Sequence, residues 1–225
     1  MQFDVAGAQL TADPSGALWW ADKRLLAVAD LHFEKGSAFA ARTGQMLPPY
    51  DTHATLARLT GVAERLQPKT IVCLGDNFHD GDGPERLDGS ATRAITSLMR
   101  KRRFVWIEGN HDQASALQLG GECAPEAAVG PLVFRHEPKR GRAAAGELSG
   151  HLHPVARVTT RVKRLRRRCF VSDGARCVLP AFGAYTGGLD VFDDAFAGLF
   201  PRGFQAYLLG RDRVYPFAHS RLAAE

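Results

Sequence analysis

The chain has 225 residues, of which 45% are hydrophobic and 24% charged, with 29 basic and 24 acidic side chains. This size and balance are typical of one globular domain with a well-filled core, and we expect a single domain over residues 1–225. No apolar run approaches the roughly 18 residues of a membrane-spanning helix, and the N-terminus has no basic segment followed by an apolar one. We therefore expect no membrane partner, no secretory signal and a cytoplasmic location.

The first half of the chain alternates strand-like and helix-like segments. Three short runs rich in Val, Ile or Leu break abruptly into polar residues, as buried strands do. They cover 24–30, 69–76 and 103–110. Between them, residues 51–66 and 90–100 have apolar side chains at helical spacing, with Asp51 and Ser90 as candidate N-caps. The order β-α-β-α-β predicts a layered α/β architecture.

Both ends of the chain are also strand-like. Residues 2–10 and 16–22 are expected to form a leading hairpin. In the C-terminal third, short runs with turn signals predict a second, mostly antiparallel sheet. These runs cover 132–137, 146–153, 156–162, 168–179 and 205–217.

The cysteines show no metal-type CxxC spacing. The dipeptide Asp173-Gly174 predicts a two-residue hairpin turn, in which Phe170 faces Cys177. Cys169 then lies on the other face of the hairpin from Cys177, so we expect no disulfide between them. Reduced thiols agree with a cytoplasmic location.

Potential metal ligands follow each of the three predicted buried strands. Asp30 and His32 follow the first, Asp76 the second and Asn110 the third. Since ligands of open α/β sheets bind at the carboxyl ends of the strands, we expect these residues to lie together. The later histidines with metal-competent spacing are His136, His151 and His153. A capped loop or a simple turn explains each motif taken alone, but not their joint order.

This order of motifs, from Asp30 to His153, resembles that of the calcineurin-like metallophosphoesterase superfamily. The resemblance implies an α/β fold in which two packed mixed sheets form a sandwich flanked by helices. It also implies two divalent metal ions bridged by Asp76. The first would be held by Asp30, His32, Asp76 and His153, and the second by Asp76, Asn110, His136 and His151. Such mixed oxygen and nitrogen ligands suit Mn²⁺, which we favour, or Fe or Zn²⁺.

The same resemblance assigns catalytic roles. His111 matches the histidine that stabilises or protonates the leaving oxygen. Asp112 completes the motif, either by orienting the loop or as a helix N-cap. His79 and Asp80 stand where protein phosphatases of the superfamily have an acid and a phosphate-binding arginine. We expect His79 to support His111, to contact substrate or simply to pack. Because an aspartate at position 80 repels a dianionic monoester, a phosphodiester substrate is favoured.

A narrower resemblance covers most of the chain. The segments ADLHFEKG, LGDNFHD, GNHD, SGHLHP and LPAFGAYTGGLD resemble the ligase-associated DNA damage response endonuclease family. This implies a phosphodiesterase or nuclease that acts in DNA repair with a DNA ligase and a helicase. Glycines 183, 187 and 188 of the last segment are expected to allow a tight backbone path near the site.

The positive charge of the chain is concentrated in one basic segment. Residues 155–180 carry eight basic side chains and one acidic one, while the rest carries 21 basic and 23 acidic ones. Its densest part predicts contacts with nucleic acid, most readily DNA, through Arg161, Lys163, Arg164, Arg166, Arg167 and Arg168. A charged edge strand and a contact with an acidic partner are the alternatives.

Other functions remain open at this point. A small-molecule or nucleotide-linked phosphodiesterase would use the same metal ligands. A phosphomonoesterase would need a replacement cation near Asp80. A non-catalytic scaffold of the same fold usually loses its ligands, whereas this chain retains all of the matching positions, including His111.

Overall fold

A computed structural model describes residues 1–44, 50–111, 115–141, 145–159 and 163–223. The strands are β1 (Gln2–Val5), β2 (Ala8–Ala12), β3 (Leu18–Trp20), β4 (Leu25–Val28), β5 (Thr70–Leu74), β6 (Arg103–Ile107), β7 (Glu122–Ala124), β8 (Glu126–Val129), β9 (Leu132–Arg135), β10 (Glu147–Ser149), β11 (Val155–Thr159), β12 (Arg164–Ser172), β13 (Arg176–Val178), β14 (Gln205–Leu209) and β15 (Val214–Ala218). The helices are α1 (Lys35–Thr43), α2 (Asp51–Leu66), α3 (Gly83–Arg86) and α4 (Gly89–Arg100). Short 3₁₀ turns lie at Ala21–Lys23, Ser115–Leu119, Asp194–Phe196 and His219–Arg221.

The first sheet has seven strands in the order β1-β2-β3-β4-β5-β6-β7. Its first four strands are antiparallel neighbours, and β4 to β7 are parallel. Side chains of β4, β5 and β6 alternate between the two faces, so that Val72 faces the second sheet and Ile71 faces the helices. Because β4 to β6 are parallel, their carboxyl ends share one edge, where the predicted ligands follow.

The second sheet has the order β15-β14-β12-β13-β10-β9-β8, with β11 paired to β12. The pairs β9–β10 and β10–β13 are parallel, and the remaining pairs are antiparallel. The inner faces of the two sheets enclose a core that contains Phe134 and Phe170, both fully buried. Each such side chain contributes about 1.5–3 kcal/mol by leaving water. The predicted α/β sandwich of two mixed sheets flanked by helices is confirmed.

The outer faces are covered differently. Helices α2 and α4 cover the first sheet with their apolar faces, as their spacing predicted, and Leu59 and Ile95 are buried there. The segment with Phe196 and Phe200 covers the second sheet. Among the described residues, no helix combines the length and the hydropathy needed to cross a bilayer.

Several local predictions were wrong in detail. Asp88, not Ser90, caps α4, and its carboxylate accepts from the backbone N–H groups of Ser90 and Ala91. Asp51 is the first residue of α2 and instead accepts from the backbone N–H of Gly36, 3.0 Å away. Helix α1 was not predicted. At the N-terminus, β1 and β2 form a hairpin over residues 2–12, to which β3 adds a third strand.

The predicted hairpin around Asp173 has a different register. Ser172, not Phe170, lies opposite Cys177, because the side chains of Ser172 and Asp173 bind backbone groups of a longer turn. A shift of two residues leaves the faces unchanged. Cys177 therefore lies in the core between the sheets and Cys169 on the opposite face, and no disulfide joins the two.

Candidate metal centre

The loops that follow β4 and β5 run side by side and hold strained backbone. Asp30 and His32 have left-handed φ values of 52° and 44°, and Asp76 has a φ of 45°. Non-glycine residues adopt this region at a cost of about 1–2 kcal/mol each. The backbone N–H of His32 donates to the Asp76 carbonyl over 2.9 Å, which ties the two loops together. His151 and His153 are also left-handed, with φ values of 67° and 46°. The surrounding structure thus holds five predicted ligands in a backbone conformation that non-glycine residues disfavour.

One cluster of potential ligands contains Asp30, His32 and His153, whose donor atoms all lie within 4.8 Å of one another. The Nε2 atom of His153 is 3.4 Å from Oδ1 of Asp30 and 3.4 Å from Nε2 of His32. The backbone N–H of His151 donates to the Asp30 carboxylate at 3.0 and 3.1 Å. This bond fixes the carboxylate and brings the two halves of the chain together at the cluster.

A second cluster contains Asp76, His136 and His151, within the same mutual distance. The Nε2 atom of His136 is 3.4 Å from Oδ1 of Asp76 and 3.1 Å from Nδ1 of His151. The other ring nitrogen of His136, Nδ1, donates to the Leu74 carbonyl over 2.9 Å. That bond sets the tautomer and leaves Nε2 with its lone pair directed into the cluster.

The carboxylate of Asp76 lies between the two clusters. Its Oδ1 faces His136, and its Oδ2 is 3.9 Å from Nε2 of His32 in the first cluster. A single carboxylate therefore presents one oxygen to each side, as a bridging ligand does.

Asn110 and His111 approach Asp76 from the end of β6. Gly109 makes this approach possible, since a Cβ atom there would lie 2.0 Å from the backbone nitrogen of Asp76. The backbone N–H of His111 donates to Oδ1 of Asp76 over 3.1 Å. Asn110 is exposed and lines a cleft of about 450 Å³ together with His136. Asp112 lies outside the described residues.

The chemistry of both clusters fits divalent cations. Asp30 and Asp76 are buried, and in the described part of the chain no lysine or arginine forms an ion pair with either. Uncompensated buried carboxylates are costly. In addition, the lone pair of His136 Nε2 faces the Asp76 carboxylate, an unfavourable contact between two acceptors that a cation between them would relieve.

Two histidines of the centre, His32 and His151, have lowered pKa values, which favours the neutral form that a metal ligand needs. Burial, with smaller contributions from His153 and Lys35, lowers the pKa of His32 to about 2. Burial and the neighbouring His136 also lower the pKa of His151.

His79 and His111 form a pair beside the centre. Their rings are stacked with centroids 5.6 Å apart and an interplanar angle of 19°. Nδ1 of His111 donates to the His79 carbonyl over 3.1 Å, which leaves Nε2 of His111 pointing toward the centre, 3.8 Å from Oδ2 of Asp76. Burial and the cations Lys35 and Arg42 lower the pKa of His79.

Helix α1 brings two cations that sequence analysis missed. Arg42 reaches Nε2 of His79 with Nη2 at 2.6 Å, and Lys35 lies near enough to lower the pKa values of both His32 and His79. Their spacing of seven residues places both on one face of a helix, a signal that would have found them had α1 been predicted. Asp80, the residue expected to repel a dianion, forms an ion pair with Arg86.

The basic segment lies on β12 and splits into two groups. Arg166 donates to the Gly188 carbonyl over 2.7 Å, and Arg168 to the Ala181 carbonyl over 2.8 Å. Arg166 is nevertheless exposed, as are Lys163, Arg164 and Arg167, and Arg167 donates to the Arg166 carbonyl over 3.0 Å. Arg161 lies outside the described residues. The structure therefore shows that part of this segment braces the neighbouring loop.

That loop passes close to the first cluster. The backbone N–H of Gly183 donates to the Asp30 carbonyl over 3.1 Å, and a Cβ at Gly183 would lie 2.2 Å from the Leu31 carbonyl oxygen. A Cβ at Gly188 would lie 2.4 Å from the carbonyl oxygen of His153, whereas one at Gly187 would meet open space. Two of the three predicted glycines are thus required by close packing against the site.

Comparisons with known proteins identify similar structures and a matching family. The crystal structure of Pseudomonas putida nuclease MPE aligns with a TM-score of 0.71 and 29% identity, over 96% of this chain and 99% of that chain. YfcE, a phosphoesterase from E. coli, aligns with a TM-score of 0.44 and 14% identity, over 86% of this chain and 98% of that chain. No curated protein matches the chain. The family model of the calcineurin-like phosphoesterases matches residues 23–174. Since this match spans more than half of the sequence, the chain belongs to the calcineurin-like phosphoesterase family and is a hydrolase of phosphoesters.

Proposed function

We propose that this protein is a dinuclear-metal phosphodiesterase that cleaves nucleic acid, most readily DNA. The observation that carries the proposal is the position of Asp76, with one carboxylate oxygen toward each cluster. The likeness to a nuclease over nearly the full length of both chains supports the nucleic-acid substrate. A role as a DNA-repair endonuclease alongside a DNA ligase and a helicase belongs to the same proposal.

The fold and the two clusters imply divalent metal ions. The residues that would hold them are Asp30, His32 and His153 for one ion, Asn110, His136 and His151 for the other, and Asp76 for both. Two such ions lower the pKa of a shared water and neutralise charge on the phosphoryl oxygens. We propose Mn²⁺ ahead of Fe or Zn²⁺, since oxygen and nitrogen donors are mixed.

His111 would donate a proton to the leaving oxygen. Its Nδ1–H is already committed to the His79 carbonyl, so only Nε2 is available to the substrate. His79 would orient His111 through this bond and through ring stacking. Asp112 would act on the same loop.

The cations at the rim would bind the substrate. Lys35 and Arg42 lie beside His79, and Arg86 neutralises the neighbouring Asp80. The basic segment would hold the backbone of the nucleic acid, including Arg161 and the exposed Lys163, Arg164 and Arg167.

A second candidate is a small-molecule or nucleotide-linked phosphodiesterase. Arg166 and Arg168 donate to backbone carbonyls of the protein, which reduces the number of cations available to a polymer. This observation favours a smaller substrate. For either activity we propose a cytoplasmic location, with which the reduced thiols of Cys169 and Cys177 agree.

One experiment separates these functions. Methyl para-nitrophenyl phosphate, para-nitrophenyl phosphate, a nucleotide-linked diester, and single-stranded and duplex DNA are assayed side by side with Mn²⁺. We expect cleavage of the small diester and of DNA, and little cleavage of the monoester. Hydrolysis of the nucleotide-linked diester without DNA cleavage selects the second candidate, and a preference for the monoester rejects both.

A further inference from the structure

The loop from Gly183 to Gly188, here called the site loop, is anchored at both ends to backbone of the metal centre. At its start, the N–H of Gly183 donates to the Asp30 carbonyl over 3.1 Å. At its end, Gly188 packs against the His153 carbonyl so closely that a Cβ there would lie 2.4 Å from the oxygen. Asp30 and His153 belong to the same cluster, so the site loop spans the rim of that cluster.

Three arginines fix the backbone of the loop and of the residues that lead into it. Arg58 donates to the Phe182 carbonyl over 2.7 Å, Arg168 to the Ala181 carbonyl over 2.8 Å, and Arg166 to the Gly188 carbonyl over 2.7 Å. Burial lowers the pKa values of Arg58 and Arg168, so their insertion is unfavourable in itself. A loop held at such cost has a defined conformation and presents its side chains in fixed positions.

Tyr185 stands at the tip of the site loop. Its side chain is 48% exposed, although tyrosine is usually more buried, and its backbone is left-handed with a φ of 59°. The residues on either side are held: the N–H of Ala184 donates to Oγ1 of Thr55, and Oγ1 of Thr186 donates to the Gly183 carbonyl. The fold therefore keeps an aromatic ring in water at the rim of the metal centre and fixes the backbone around it.

Within the proposed nuclease function, we infer that Tyr185 is the platform on which a nucleobase next to the scissile phosphate stacks. An aromatic ring beside arginines that face a phosphate backbone is the usual combination for sequence-tolerant contacts with unpaired bases. Arg164 lies two residues before Arg166 on β12 and Arg167 directly after it, and these exposed side chains would bind the flanking phosphates. Stacking on one side of the centre would set which position along the strand is cleaved, whatever base stands there.

The inference is tested with Tyr185→Ala, Tyr185→Phe and a control, Tyr215→Ala. Tyr215 is 47% exposed on the edge strand β15, where it lies opposite Leu208 of β14. We expect Tyr185→Ala to raise the KM for a DNA oligonucleotide about 10-fold, as expected for the loss of one stacked base. The loss on methyl para-nitrophenyl phosphate, which has no base, is expected to be several times smaller. Tyr185→Phe should have the wild-type KM for the oligonucleotide, and Tyr215→Ala should change the KM for neither substrate.

Abasic residues then locate the contact. Oligonucleotides with a single abasic residue are cleaved by the wild type and by Tyr185→Ala. For the wild type, an abasic residue at one position beside the scissile phosphate should raise the oligonucleotide KM about 10-fold. For Tyr185→Ala, the abasic residue at that position should raise the KM no further. The inference is overturned if the effects of Tyr185→Ala and of the abasic residue on KM multiply. It is also overturned if Tyr185→Ala affects the small diester equally or leaves the oligonucleotide KM unchanged. Absence of DNA cleavage by the wild type would instead refute the proposed nuclease function itself, and the inference with it.

Discussion

His111 donates its Nδ1 proton to the backbone carbonyl of His79, 3.1 Å away, while the two rings stack. The hydrogen bond uses the main chain of His79 and not its imidazole. Loss of the His79 side chain therefore removes a packing surface but leaves the bond that orients His111. The two histidines should consequently differ strongly in their effect on the reaction.

We expect His111→Ala to lower kcat by about 10²–10⁴-fold, because general acid catalysis contributes about that factor. His79→Ala should lower kcat by about 10-fold or less, since the orienting carbonyl remains. Steady-state kinetics on a DNA oligonucleotide, whose leaving alkoxide depends on protonation, measure both effects, and elemental analysis of the bound metal accompanies them. Equal losses in the two variants, or metal loss in His111→Ala, would contradict these roles.

The bridging position of Asp76 predicts a coupled loss of metal. In Asp76→Asn the weaker amide ligand would serve both clusters, so both ions should be lost together and activity should fall below detection. The matched variant Asp30→Asn affects one cluster directly and should retain more metal. Metal-to-protein ratios after gel filtration measure the difference. A stable one-metal Asp76→Asn protein would count against bridging.

Metal binding should also stabilise the fold. The ions would neutralise buried carboxylates, so the melting temperature is expected to rise with Mn²⁺ concentration. At a Mn²⁺ concentration of about 100 times Kd, the unfolding free energy should increase by about 2.7 kcal/mol. Differential scanning fluorimetry with and without chelator measures this shift. Asp76→Asn is the control, and an equal shift in that variant would place the stabilising ions elsewhere.

The arginines of β12 should separate into two classes. Arg164→Ala combined with Arg167→Ala should weaken DNA binding and reduce the slope of log K against log salt by about 1.5–2, with little change in stability. Arg168→Ala leaves the Ala181 and Gly183 carbonyls without this donor, so it should lower the unfolding free energy by about 1–3 kcal/mol. Fluorescence anisotropy at several salt concentrations measures the change in DNA binding, and urea unfolding measures the change in stability. It is wrong if Arg168→Ala affects only DNA binding.

Gly109 is expected to tolerate no side chain. A Cβ at this position would lie 2.0 Å from the Asp76 backbone nitrogen, so Gly109→Ala should displace the second cluster and destabilise the protein by about 1–3 kcal/mol or more. Gly187→Ala is the matched control, because a Cβ there meets open space. Urea unfolding and metal content measure both variants. Normal metal content and stability in Gly109→Ala would show that the two loops are not in such close contact.

The sequence predicted the parts of this protein that depend on hydrophobic patterns. Runs such as 69–76 end in ligand-type residues, and parallel pairing brings those ends to one edge without further information. Six of the seven predicted metal ligands accordingly meet in two clusters. The left-handed backbone of five of them follows from tertiary hydrogen bonds and has no counterpart in the sequence pattern.

What sequence analysis missed depends on contacts between distant segments. Helix α1 begins after the left-handed Glu34, which no propensity rule anticipates, and its first turn is bound by the Asp51 carboxylate from another helix. With α1 unseen, Lys35 and Arg42 were not considered as site residues. In the same way, the Ser172 hydroxyl lengthened a turn that Asp173-Gly174 alone would have made short.

The bond from the His151 N–H to Asp30 joins residues 121 positions apart. Each cluster contains residues from both halves of the chain. Asp30 and His32 are completed by His153, and Asp76 by His136 and His151. On the ribosome, the first sheet emerges with two of the three residues of one cluster and one of the three of the other. The nascent chain is therefore expected to remain inert until the second sheet has been synthesised and folded, so the capacity to hydrolyse phosphoesters arises only in the finished protein.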